Sequence, residues 1–126
     1  MSKEETELSG EKMPDFSFTE EQELLRKTVR KFCEKNLTLK AREIDEKREI
    51  PNEVIKGMAN LGLLAMTVSP DYGGAGAGFT MATIAAEELA RADNSVATAV
   101  LFLVESVWRY IFDRYGTKKG NRLEVF

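Results

Sequence analysis

Between Thr19 and Tyr115 the apolar residues recur at spacings of three and four, and no stretch alternates cleanly between apolar and polar. A period near 3.6 puts such residues on one face of a helix, whereas a half-buried strand needs a period of two. With no strand pattern and no internal repeat, the chain is predicted to be all-α. Its 126 residues suit one domain with a buried core, and 43% hydrophobic with 31% charged residues is ordinary globular composition.

The helices can be read in order. Thr19 opens the first, and Thr19-Glu20-Glu21-Gln22 fits a capping box, in which the hydroxyl and the Gln side chain each take the other residue's amide hydrogen. Phe16 and Phe18 are its aromatic anchors, and Leu25, Val29 and Phe32 form its stripe, widened by Leu24 and Cys33. Asn36 to Thr38 marks a joint between two helices or a bend in one, and Leu37, Ala41 and Ile44 carry the second phase. Pro51 suits a first helical residue before Val54, Ile55, Met58 and Leu61, and Gly62 suits the stop. Leu63 to Val68 reads as a buried extended connector, with a strand as the alternative. A helix restarting at Phe79 or Thr80 runs through Ala92, with Met81, Ile84, Ala85, Leu89 and Ala92 inward. Asn94 or Ser95 caps a last helix, Val96 to about Tyr115, which is apolar nearly all round at its start. Residues 1–15 read as an acidic, polar flexible tail.

Several function classes are excluded. The net charge of −3 argues against nucleic acid as the main partner, because phosphate contacts need a basic surface. Arg26, Lys27, Arg30, Lys31 and Glu34 read as a solvated helix face. The absence of histidine removes histidine-based triads and zinc motifs, and a single cysteine, Cys33, permits neither a disulfide nor a cysteine metal cluster. Cys33 lies at an apolar position and reads as a buried, inert thiol. No signal peptide is visible, and Val96 to Val104 falls far short of the ~20 residues of a membrane span. The expected compartment is the cytoplasm.

The stretch Ser69 to Phe79, SPDYGGAGAGF, poses the one motif question. A phosphate cradle needs glycines at set intervals between a strand and a helix. The loop contains no GxGxxG and no GKS or GKT follows it, so it reads as a tight corner in which Gly73 and Gly74 supply positive φ.

The context of that loop is more specific than its spacing. Leu61 to Leu63, Pro70 to Gly74, Glu87 to Arg91 and Ser95 to Ala99 occur in the order found in the N-terminal helical domain of acyl-CoA dehydrogenases. Phe18 to Gln22, Phe32 to Leu37, Pro51 and Tyr115-Gly116-Thr117 fit as well, so the resemblance runs over residues 16–117, with 118–126 divergent. It implies an up-and-down helical bundle and FAD-dependent α,β-dehydrogenation of an acyl-CoA thioester. It also implies that flavin sits mainly between two further domains, one of which supplies the glutamate base. The chain is therefore expected to be truncated and catalytically incomplete, with no FAD bound to it alone. The alternative is a helical interaction module that keeps the fold. Ala97, Thr98, Leu101, Phe102 and Glu105 match positions that line the acyl pocket in the family, although Leu101 and Phe102 fit a core equally well and Glu105 an exposed or paired position. The apolar circumference of the last helix, without its family neighbours, leads to an expectation of a homo-oligomer, with Ser69–Gly78 and Ala92–Ser95 as hinges for helix exchange.

Overall fold

A computed structural model of the protein describes residues 14–99 and 110–117. Among the described residues there is no strand, and the fold is helical as expected. Helix α1 is Glu20–Asn36, α2 is Ala41–Lys47, α3 is Asn52–Asn60 and α4 is Phe79–Ala92; a short turn α5, Asn94–Val96, and α6, Tyr110–Tyr115, follow.

The capping box forms. Gln22 N donates to Thr19 Oγ1 at 3.2 Å, and Thr19 N donates to Gln22 Oε1 at 3.0 Å. The inward face of α1 is narrower than the sequence stripe: Val29 and Cys33 are buried and Leu25 and Phe32 half-buried, but Leu24 is 66% exposed. Adjacent helical residues point about 100° apart, and the buried face of α1 is too narrow to take in Leu24 as well as Leu25. Phe16 is also no anchor, since it is almost fully exposed. Phe18 is partly covered, with the Arg26 guanidinium 5.6 Å from its ring centroid.

The joint after α1 is a true break. Leu37 N and Thr38 N both donate to Cys33 O, at 2.8 and 3.0 Å, which closes the helix and turns Leu37 into the core. Arg48, in the left-handed region at φ 53°, ends α2. Pro51 precedes α3 by one position rather than beginning it, and its fixed φ serves either place. Val54 and Met58 are buried, Ile55 is half-buried and Leu61 is exposed. Gly62 turns the chain at φ 73°. The run from Leu63 is neither extended nor a strand at its start: Leu63–Ala65 is a tight helical turn, with Leu63, Leu64, Met66 and Val68 buried.

Helices α1 and α4 make the most extensive pairing among the described elements. Val29 and Cys33 of α1 and Ala85 and Leu89 of α4 belong to one core cluster with Leu37, Ile44, Val54, Met58 and Val96. Full burial of such aliphatic side chains contributes about 1.5–3 kcal/mol each. Asp93, not Asn94 or Ser95, caps the turn after α4: its Oδ1 accepts from Val96 N at 3.0 Å. Asp93 is extended, at φ −157°, which aims its carboxylate back at the first turn. Most of the expected last helix, the expected tail up to Met13, and residues 118–126 lie outside the described residues, as do the apolar surface and oligomer expectations that rest on that helix.

Candidate functional site

Three places carry polar groups or backbone in arrangements that periodicity alone does not demand. The first is the glycine-rich loop. Gly73 N and Gly74 N donate to Pro70 O and Ser69 O at 3.0 and 3.1 Å. Ala75 N, Gly76 N and Ala77 N donate to Ala65 O, Val68 O and Met66 O at 2.8, 2.9 and 2.7 Å. Five consecutive amides are thus consumed inside the protein, whereas a phosphate cradle must keep such amides for its ligand. The loop is a corner, as expected, but its glycines have different reasons. Gly73 takes φ 85°, whereas Gly74 does not have positive φ. A Cβ on Gly74 would come within 2.5 Å of the Val68 carbonyl carbon, so the two segments can touch only where one lacks a side chain.

The second place is a buried carboxylate. Glu88 is 5% exposed and lies in the inward phase of α4, between Ala85 and Leu89. Arg30 of α1 grips both its oxygens, Nε to Oε2 at 2.9 Å and Nη2 to Oε1 at 2.7 Å. Arg91 Nη1 reaches Oε2 at 3.2 Å, and Arg26 Nε stands 3.7 Å from Oε1. The hydrogen bonds from Arg30 hold the Glu88 carboxyl below its ordinary range, against the opposing effect of burial. The same contact raises the Arg30 guanidinium. The reading of this α1 face as solvated therefore holds for Lys27, Lys31 and Glu34, which are exposed, and fails for Arg26 and Arg30. The signal was a glutamate at an apolar phase of one helix, with arginines four apart on another.

The third place is residues 97–99, the start of the segment expected to form the last helix. Ala97 is 7% exposed and packs in the core, while Thr98 is exposed and donates its Oγ1 to Asn94 O at 2.8 Å. Residues 97–99 form a wide π-type turn, a geometry that recurs at functional sites. Leu101, Phe102 and Glu105 lie outside the described residues. Nearby chemistry is sparse. Cys33 is buried, and burial, with Glu88 and Glu34 adding to it, pushes its thiol up to about 11. A groove of about 320 Å³, lined by Phe18, Phe79, Thr80, Thr83, Ile84 and Glu87, opens on the α4 side. Among the described residues no His, Cys, Asp or Glu cluster could hold a metal ion. No described helix is long and apolar enough to cross a membrane.

The corner at Pro70 to Gly74, the helix ending in Glu87 to Arg91 and the small residues Ser95 to Ala99 are the stretches on which the resemblance rested. Residues 19–122 match the family model described as "Acyl-CoA dehydrogenase, N-terminal domain". The chain belongs to the acyl-CoA dehydrogenase family. It is 35% identical over 108 residues to the short-chain-specific acyl-CoA dehydrogenase of Clostridium acetobutylicum, covering 86% of this chain and 28% of that protein. It is 42% identical over 80 residues to the mitochondrial isovaleryl-CoA dehydrogenase of Pongo abelii, covering 62% of this chain and 19% of that protein. A solved chain from work on the electron transferring flavoprotein of Acidaminococcus fermentans superposes with a TM-score of 0.79 at 25% identity, over 86% of this chain and 28% of that one. The chain therefore spans between 19% and 28% of the length of these relatives.

The flavin implied by the family finds no fit in the polar groups described above. The loop amides that a pyrophosphate would need are bonded to Ser69, Pro70, Ala65, Val68 and Met66, and the arginines nearest the core are committed to Glu88.

Proposed function

We propose that this chain is the N-terminal helical wall of an FAD-dependent enzyme that dehydrogenates acyl-CoA thioesters between Cα and Cβ. In this reading the helical domain binds and shapes rather than reacts. In the segment expected to form the last helix, Thr98, with Leu101, Phe102 and Glu105 beyond it, meets the acyl chain, while Ala97 backs that wall from the core. The proton-abstracting glutamate and the flavin-holding groups lie in polypeptide outside the matched quarter. The observation that carries the reading is the family match over residues 19–122. The geometry supports it: the loop is a corner rather than a phosphate site, and Ala97 and Thr98 follow at once from a capped turn on the core.

The experiment uses the 126-residue chain and a series of straight-chain acyl-CoA thioesters. NMR shifts are followed at Thr98 and its neighbours, with free CoA as the control. Shifts that grow with acyl length, and that free CoA does not produce, are expected. The purified chain is also expected to be colourless and to reduce no electron-accepting dye with any thioester. Stoichiometric yellow flavin on these residues would refute the division of labour, and acyl-length-independent shifts would refute the acyl wall.

A further inference from the structure

We propose that the Arg30–Glu88 pair is a register pin between α1 and α4, and thereby a positioning pair for residues 97 and 98. On its inward face α4 presents Ala82 and Ala85 beside the larger Ile84 and Leu89, and α1 presents Val29 and Cys33. These apolar contacts are non-directional, and the two alanines make only shallow ridges. The guanidinium–carboxylate fork differs in kind. Two parallel bonds at 2.9 and 2.7 Å require both groups coplanar and at one height along the helices. Slipping α4 breaks both bonds of the fork and leaves a carboxylate of 6% exposure with Arg91 of its own helix and, for a full turn in one direction, the single contact of Arg26. A buried ion pair is an inefficient stabiliser, and setting register is its best-attested use.

From Glu88 the chain to the head of the last helix is stiff. Asp93 N donates to Leu89 O at 2.8 Å, and Val96 N and Ala97 N donate to the Asp93 side chain and carbonyl at 3.0 and 3.2 Å. Thr98 Oγ1 then holds Asn94 O. An axial or rotational error in α4 therefore moves Ala97 and Thr98 with it. The effect on an acyl chain rests on the function proposed above; the register itself does not.

The test uses the whole 126-residue chain with Glu88→Gln and, separately, Arg30→Lys, which keeps the charge and loses the fork. Residue-resolved amide exchange is measured by NMR. In both variants exchange at Val96 and Ala97 is expected to quicken by about tenfold or more relative to Val29 and Leu37, a local opening rather than a global one. Wild-type exchange in Arg30→Lys would show that charge alone suffices and overturn the pin. Uniform acceleration at all amides, or loss of fold in both variants, would make the pair a general stabiliser and overturn it equally. Acyl-CoA shifts at Thr98 are scored separately: if wild type shows none, the acyl reading falls while the register result stands.

Discussion

Replacing Gly74 with alanine adds one methyl group at the tightest point of the corner. That methyl lands 2.5 Å from both the carbonyl carbon and the Cβ of Val68, which is only 4% exposed. Val68 cannot turn aside freely, because its carbonyl accepts from Gly76 N at 2.9 Å. Overpacking a filled site costs about 1–3 kcal/mol. Losing the Gly76 bond adds about 1 kcal/mol. The expected destabilisation is therefore about 2–4 kcal/mol, a large share of a typical domain's 5–15 kcal/mol. Gly73→Ala has open space but must hold φ 85°, at a cost of about 1 kcal/mol. Gly78→Ala has open space and an ordinary φ of −73°, so it should lie within about 0.5 kcal/mol of wild type. Urea unfolding of the three variants, followed by circular dichroism at equal protein concentration, gives the ranking. Equal losses at Gly73 and Gly74, or a neutral Gly74→Ala, would show that the Val68 contact does not govern the loop.

Three further outcomes follow from named groups. The Glu88 carboxyl titrates below its ordinary 4.5, so the unfolded chain binds its proton first as pH falls; the pair's contribution is present above about pH 4.5 and lost as pH drops through the folded value. Acid titrations of stability should steepen below pH 4.5 in wild type and flatten there in Glu88→Gln, and superimposable acid limbs would contradict the assignment. Cys33, pushed up from 9.0 to about 11 by burial, carries about a hundredfold less thiolate at pH 8 than an exposed thiol. Native chain should therefore react with a disulfide reagent far more slowly than chain in urea, and equal rates would show that the thiol is not buried. Arg48→Gly should stabilise by about 1 kcal/mol, because Arg48 ends α2 at φ 53° and its side chain is exposed; a loss in thermal midpoint would mean that the side chain has a role the backbone does not reveal.

Much of the backbone plan was legible, because capping and periodicity are local. Thr19 and Gln22 are three residues apart, and their two bonds need nothing else in the protein. Gly62 at the end of α3 is legible for the same reason. What was not legible depended on a second segment. Leu24 follows the stripe by number but faces away, since only the position of α4 decides how wide the buried face must be. Gly74 looked like a positive-φ residue, yet its constraint is a contact with Val68, which no pattern within the loop encodes. Arg26 and Arg30 had the spacing of a solvated face, and their partner lies 58 residues from Arg30. At the candidate acyl site the sequence could match positions to a family, but burial separates Ala97 from Thr98 only once the turn after Asp93 is built.

These devices converge on α4. At its N-terminal end, Gly78 has no side chain to cap the helix, and the corner before it is tied to Ala65, Met66 and Val68 by three backbone bonds. Near its C-terminal end, Glu88 is gripped from α1 and Asp93 bonds both back to Leu89 and forward to Val96. The apolar packing of Ala82, Ile84, Ala85 and Leu89 is non-directional, so the helix ends and a directional polar contact add restraint that packing alone does not specify. The exposed residues expected to meet an acyl chain begin at Thr98, next to Ala97, whose amide bonds Asp93 O within the reach of that restraint. An enzyme that must hold a flexible chain against a reacting centre gains from a wall whose position is set to a fraction of an ångström. The glycine-rich corner and the buried glutamate are thus parts of one device, and together they hold the helix from which the candidate site begins.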